Sequence, residues 1–419
     1  MEDINGSGNG NAEPAFSEDI SEAIKTKLNR EHFLILKHKL EPLPIRTGLL
    51  GDHSILQVQI LHEDGHSESF PFFIKYFPKM EACAMFAEGI GAFEKEMFVY
   101  KLFEEFRKSG INIINSVVPE CYLAKSNKYF FLEDLTADGF HALDKHKVLE
   151  SETLVILQSL AKIHASSIIY EEKIGKTLLE MFPENFAESF FNDREGFINE
   201  DGINASIKCV LNEIDIFDFP TKLSSGKNFR DVAEKVCHKI YDLVKPSEKF
   251  RNVLTHGDLW ATNFLLKKGA EGSQCKFVDF QCGRYVPPAQ DVMSLLHLTT
   301  SREFRKEHMY EVIGMYYSCL EKHLKGAGLV PDKLIPFAEF LDSCEEQKSF
   351  AIVQTAIYFP LVLVRSNDIE IYFSDVHLNK KVLFEDRTHL VLAHKDTDTF
   401  YAHRLRESIQ DLKDFCEYI

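Results

Sequence analysis

His256-Gly257-Asp258-Leu259-Trp260-Ala261-Thr262-Asn263, followed by Phe277-Val278-Asp279-Phe280-Gln281, is the part of this 419-residue chain on which its fold class turns. An aspartate, an asparagine five residues on and a second aspartate beyond a turn supply what phosphoryl transfer from a nucleotide asks of a protein. One carboxylate takes the proton of an attacking hydroxyl, and two hard oxygen donors hold Mg²⁺. Asp258 fits the base, and Asn263 and Asp279 fit the metal ligands. The flanks read as short strands: Val253 to Thr255 leads in, Phe264 to Leu266 leads out and Lys276 to Val278 returns, with Lys267-Lys268-Gly269 opening the turn between the last two. Such a hairpin brings Asp279 back beside Asn263. Taken singly, each acid also suits a turn cap or a strand end. His256 reads as a packing residue that hydrogen-bonds the loop backbone, not as a proton carrier.

With Leu132-Glu133-Asp134-Leu135 and Leu160-Ala161-Lys162-Ile163-His164-Ala165 upstream, the His256 to Trp260 block, Asn263 and Asp279-Phe280-Gln281 resemble the ecdysteroid kinase-like family, also called CHK kinase-like. Juvenile-hormone-inducible proteins are among its types, and choline kinases and aminoglycoside phosphotransferases are its wider relatives. The resemblance runs from about Arg46 to Leu298 with distinctive motifs and more diffusely to the C-terminus. It implies an α+β, two-lobed protein-kinase-like fold with a small β-rich N-lobe and a large, mainly helical C-lobe. It further implies ATP and Mg²⁺ as cofactors and a small hydroxylated substrate, an ecdysteroid or a xenobiotic alcohol.

Other site residues fit the same plan. Phe72-Phe73-Ile74-Lys75-Tyr76-Phe77 reads as a buried strand with one lysine in it, and a buried ammonium needs a charged partner. Lys75 is expected to reach the nucleotide phosphates and to pair with Glu96, beside the helical face of Phe93, Met97 and Tyr100; a lysine snorkelling at a strand edge is the plainer alternative. Gly48 and Gly51, in the turn before Leu56, Val58 and Ile60, are expected near the phosphates, although a plain hairpin turn reads the same. The family pattern has Gly-Asp-Asn-Tyr-Ala-Ser where this chain has Gly51-Asp52-His53-Ser54-Ile55-Leu56. That departure favours a second reading, a catalytically weak nucleotide- or lipophile-binding protein on the same fold. By resemblance, backbone groups between Glu133 and Leu135 read the adenine edge. Asp291 either caps the helix it begins or ties the catalytic loop in place. His164 reads as a buried core histidine.

Composition bounds the remainder. A leader is expected over residues 1–25, an N-lobe over 30–133 and a C-lobe over 134–419. The start of the chain is acidic, rich in Gly, Asn and Ser, and lacks the basic and apolar segments of a signal peptide. The net charge of −17 argues against nucleic acid as a partner. The nine cysteines have no CxxC pair and read as reduced thiols in a cytoplasmic protein without zinc. Ala351 to Val364 is broken by Gln354, Thr355 and Pro360 and falls short of a bilayer span. No obligate protein partner is implied. Phe186, Phe190, Phe191 and Phe197 either line an apolar substrate pocket or fill the core. A protein kinase is disfavoured, because the chain has neither an Asp-Phe-Gly nor an Ala-Pro-Glu segment.

Overall fold

The computed structural model describes residues 14–43, 51–192, 197–269 and 272–419. Five antiparallel strands form the first sheet: β1 (Leu34–Pro42), β2 (Asp52–Leu61), β3 (Ser67–Tyr76), β4 (Cys121–Lys125) and β5 (Tyr129–Glu133), in the order β1-β2-β3-β5-β4. Alternation decides its two faces, because successive strand side chains point in opposite directions. Leu56, Val58 and Ile60 of β2 and Phe70, Phe72 and Ile74 of β3 are buried on one face, with Leu56 opposite Phe72 and Val58 opposite Phe70. Lys75, one residue out of phase with Ile74, therefore points to the other face.

Helix α1 (Pro14–Leu28) covers the first of these faces. Ile20, Ala23 and Ile24 recur at helical spacing, are fully buried and join the cluster of Leu56, Phe72 and Phe131. Buried Asp19 also accepts hydrogen bonds from Lys125 and from the Tyr129 hydroxyl. The leader expected as far as residue 25 thus gives way to an ordered helix at Pro14, because its apolar stripe has a sheet to cover.

Between β3 and β4 the chain makes α2 (Glu81–Gly89) and α3 (Ala92–Lys108). Phe93, Val99, Phe103 and Phe106 anchor α3 in the largest core cluster, and that burial carries Glu96, 1 % exposed, to the lysine side of the sheet. The chain beyond β5 is mostly helical. Helix α4 (Thr153–Ile174) carries the hydroxyl of Ser167, which accepts from the Leu254 amide at 2.9 Å and so fixes β7 (Val253–Thr255). Beyond β7 the hairpin of β8 (Phe264–Gly269) and β9 (Gly272–Phe277) pairs Phe264 with Phe277, β6 (His141–Ala142) adds to β8, and β10 (Arg284–Val286) returns to pair with β7. This is the two-lobed protein-kinase-like architecture, with a small antiparallel sheet ahead of a mostly helical body.

Among the described residues α4 is the one single helix long and apolar enough to cross a bilayer, and 78 % of its apolar window is buried inside the protein. The apolar stretch from Ala351 lies in the helix Phe337–Val362 and is likewise buried. Replacing Ile24, fully buried under the sheet, by Ala is expected to cost about 2–4 kcal/mol of unfolding free energy. Denaturant unfolding measures this, and an unchanged midpoint would mean that α1 is not docked.

Candidate active site

The loop after β7 is held from three sides. Gly257 has φ 78°, and a Cβ there would lie 2.2 Å from the Cys282 carbonyl oxygen, so the position admits only glycine. Buried Asp291, in the helix Ala289–Thr299, accepts from the His256 amide at 2.6 Å and the Gly257 amide at 2.9 Å. The residue at the cap of that helix is Pro288, so the Asp291 carboxylate is spent on the loop and not on its own helix end. A third contact, 3.2 Å from His164 Nε2, fixes the imidazole so that its Nδ1 accepts from the Tyr316 hydroxyl at 2.6 Å. Burial works to raise the Asp291 pKa, but these hydrogen bonds and the two histidines hold it below the ordinary range.

His256 spans the loop. Its Nε2 meets the Val278 carbonyl at 2.9 Å, and its Nδ1 lies 3.3 Å from the Asp258 amide. Burial lowers its pKa, so the ring is a neutral strut that donates at one nitrogen and accepts at the other. Its carbonyl contact immediately precedes Asp279, while its amide contact is Asp258 itself.

Asp258 and Asn263 are in direct contact. The Asn263 Nδ2 donates to the Asp258 carbonyl and to its Oδ2, both at 2.9 Å. Two acceptors on that side fix the amide orientation and leave Oδ1 outward, with only a 3.4 Å contact to the Thr262 hydroxyl. The Val278 amide donates to the Asn263 carbonyl at 2.9 Å, placing Asp279 beside Asn263. Asp279 has φ 68° and ψ 62°, a left-handed conformation uncommon outside glycine and of the kind that concentrates at functional sites. Its Oδ1 lies 2.7 Å from the Lys75 ammonium, and its Oδ2 has only a 3.5 Å contact from Gln281. Asn263 Oδ1 and Asp279 Oδ2 thus have only long contacts among the described residues, and an amide oxygen with a carboxylate oxygen is a hard donor set that fits Mg²⁺.

Lys75 Nζ also lies 2.5 Å from Glu96 Oε2, so one ammonium bridges two carboxylates, from α3 and from the turn after β9. Burial acts against its charge, but Asp279 and then Glu96 more than offset that and keep Lys75 protonated. Gly51 packs over the lysine stem, where a Cβ would come 3.3 Å from Lys75 Cε. For Asp258, burial and then the nearby Asp279 charge push the carboxyl up to about 7.

Asp258 and Asp279 line one cavity, open to solvent on one side, whose walls include Phe86, Phe190, Trp260 and Leu361. Of the four phenylalanines considered from sequence, Phe190 reaches this wall, whereas Phe186 and Phe191 are packed in core clusters. Gly48 lies outside the described residues. At the strand exit the Glu133 amide donates to the Glu120 carbonyl at 2.9 Å, its side chain pairs with Lys276 at 2.7 Å, and the Leu135 carbonyl accepts from Phe140 at 3.0 Å. Those groups are therefore engaged within the protein.

Sequence reasoning missed Arg284, which is buried in β10, paired with Glu188 at 2.9 Å and stacked over Phe191. A charge inside the run Gly283-Arg284-Tyr285-Val286 was the available signal, the same one that exposes Lys75. Tyr358 and Arg387, also on the cavity, carry no local signal.

The ecdysteroid kinase-like family model matches residues 53–329. The chain belongs to the ecdysteroid kinase-like family. No curated protein matches it. Solved structures similar to it include an ethanolamine kinase from Plasmodium vivax, at 14 % identity and TM-score 0.45, covering 90 % of this chain and 83 % of that one. A microcompartment-associated aminopropanol kinase is similar at 13 % identity and TM-score 0.33, covering 85 % and 98 %. The GDP and kanamycin complex of APH(2")-IIia is similar at 13 % identity and TM-score 0.32, covering 86 % and 97 %. Within this family member, Gly257→Ala is expected to lose about 1–3 kcal/mol of stability through backbone strain, over and above the steric displacement of the loop. Denaturant unfolding reads that loss, and a wild-type midpoint would show that the loop is not pinned.

Proposed function

We propose that this chain, a small-molecule kinase by family, transfers the γ-phosphoryl group of ATP to a hydroxyl of an apolar alcohol of the ecdysteroid or xenobiotic kind. The observation that carries the reading is the Lys75 bridge to Glu96 and Asp279, with Asp258 on the same cavity as Asp279.

Each residue's part is set by its surroundings. Asp258 accepts a hydrogen bond from the acceptor alcohol and takes its proton as the new oxygen–phosphorus bond forms and the bond to the departing ADP breaks. Asn263 holds that carboxylate through Nδ2, so its aim is set before substrate arrives. Lys75, kept charged by its two carboxylates, offers positive charge to the nucleotide phosphates. Glu96 keeps Lys75 from collapsing wholly onto Asp279. Bound Mg²⁺, held by Asn263 Oδ1 and Asp279 Oδ2, would neutralise charge on the phosphates. With no disulfide among the described residues, a reducing compartment such as the cytoplasm suits the chain.

ADP release measured with Mg·ATP and a panel of hydroxylated steroids, plant-derived alcohols, choline and ethanolamine tests this reading. Turnover on at least one alcohol is expected, with a loss of about 10²–10⁴-fold in Asp258→Asn. Stabilisation by ATP without any phosphorylated product would favour the binding-protein alternative.

The Asp258 carboxyl also fixes a pH dependence. Its folded pKa of about 7 lies above the unfolded value near 3.9, so the nucleotide-free protein loses stability as pH rises from about 4 through 7. Asp258→Asn removes that penalty. The variant is expected to be more stable than wild type at pH 8, by up to about 4 kcal/mol, and no more stable at pH 4. Thermal melts across that range read the difference, and equal melts at pH 8 would contradict a buried charge. In wild type, kcat/KM should rise with pH through a limb at or below about 7, as the base becomes ionised.

A further inference from the structure

Four arginines are buried among the described residues: Arg284, Arg305, Arg387 and Arg404. Three of them pair with carboxylates, Arg284 with Glu188 at 2.9 Å, Arg305 with Asp411 at 2.5 Å and Arg404 with Glu407 at 2.7 Å. Arg387, 8 % exposed, has no carboxylate partner among the described residues. A buried guanidinium without a counter-charge is costly to keep, and protein interiors rarely leave one so.

The surroundings of Arg387 leave it that way. Its Nε donates to the Val382 carbonyl at 2.9 Å, which fixes the head of the side chain. Neighbouring Asp386 is turned to Lys208 at 3.3 Å and to the Thr388 amide at 2.8 Å. Glu213, buried nearby, accepts from the Cys209 thiol and makes no ion pair with Arg387, and burial pushes its carboxyl well above the ordinary value. Burial lowers the Arg387 pKa to about 10, which still leaves it charged at neutral pH.

Arg387 lines the cavity that holds Asp258. Tyr358 lines the same cavity and lies near enough to both Asp258 and Arg387 to interact with their charges. The walls also include Phe86, Phe190, Trp260, Leu361, Leu383 and the polar Gln281, so among the described residues Arg387 is the only cationic side chain lining a mainly apolar cleft whose carboxylates lie at the phosphoryl-transfer end.

We infer that Arg387 is a specificity-determining residue, and that the alcohol phosphorylated here carries elsewhere on its apolar skeleton an oxygen acceptor, a carboxylate or a carbonyl, that the guanidinium binds. This rests on the reading of the cavity as the acceptor site. A guanidinium offers several N–H donors in a fixed plane, which match a carboxylate in pairs and a polarised carbonyl singly. A cationic amino-alcohol would instead set like charge beside a buried arginine, so this cleft selects against it.

Three acceptors separate the possibilities: a hydroxysteroid carboxylate, the neutral hydroxysteroid ketone of the same ring system, and choline. Each is assayed by ADP release with Mg·ATP in the full chain and in Arg387→Met and Arg387→Lys, with circular dichroism and thermal melts to verify folding. Wild type should favour the acid or the ketone over choline. Arg387→Met should raise KM for the favoured steroid by about 10–100-fold with a smaller change in kcat, as expected when one charged hydrogen bond is lost. Arg387→Lys should recover part of the loss. The proposal is overturned if folded Arg387→Met leaves the steroid KM unchanged, or if wild type prefers choline. Should wild type release ADP with no alcohol at all, the kinase reading has failed separately. Calorimetric binding of the steroid acid to wild type and Arg387→Met then decides on Arg387, and equal affinities, or no binding, overturn its role.

Discussion

One ammonium group ties this protein together. Lys75 Nζ lies 2.5 Å from Glu96 and 2.7 Å from Asp279, so a strand, a helix and a turn of the helical body meet at a single buried charge. Remove it and two carboxylates are left close together in a poorly solvated place, which is far more unfavourable than the loss of one hydrogen bond. The sheet must therefore present Lys75 on its inner face, and α3 must bury Glu96 there. The left-handed backbone at Asp279 aims a carboxylate back toward them. Each of these local choices is unfavourable alone, and together they satisfy one another.

A second constraint works through backbone amides. Asp291 and His256 carry little of the chemistry themselves, yet they hold the loop on which Asp258 and Asn263 sit. Asp291 is in turn oriented by His164, and His164 by Tyr316, so the position of the base is set by a chain of buried polar contacts reaching into the helical core. Such a chain is stiff because every member is satisfied.

Legibility in the sequence tracks distance along the chain. Asp258, Asn263 and Asp279 are separated by a short hairpin, so their spacing alone brings them together. Lys75 stood out because a charge inside a buried strand demands a partner. Arg387 gave no comparable sign: its significance is that no carboxylate meets it among the described residues, and only the packed structure shows that. Helix α1 had a readable stripe in Ile20, Ala23 and Ile24, but the Gly- and Asn-rich residues just before it pulled the expected leader too far. At Asp291 both readings were open, because a carboxylate in the first turn of a helix is equally placed to cap that helix or to reach across to a loop.

The Lys75 contact also bears on how the chain is made. Everything that shapes the outer sheet, from α1 to β5, leaves the ribosome before the turn that carries Asp279, which lies 204 residues beyond Lys75. At about 5–20 residues per second, that interval is roughly 10–40 s. During it Glu96, only 21 residues from Lys75, is the partner within reach, so the nascent small lobe can shelter its lysine while the rest is still being synthesised.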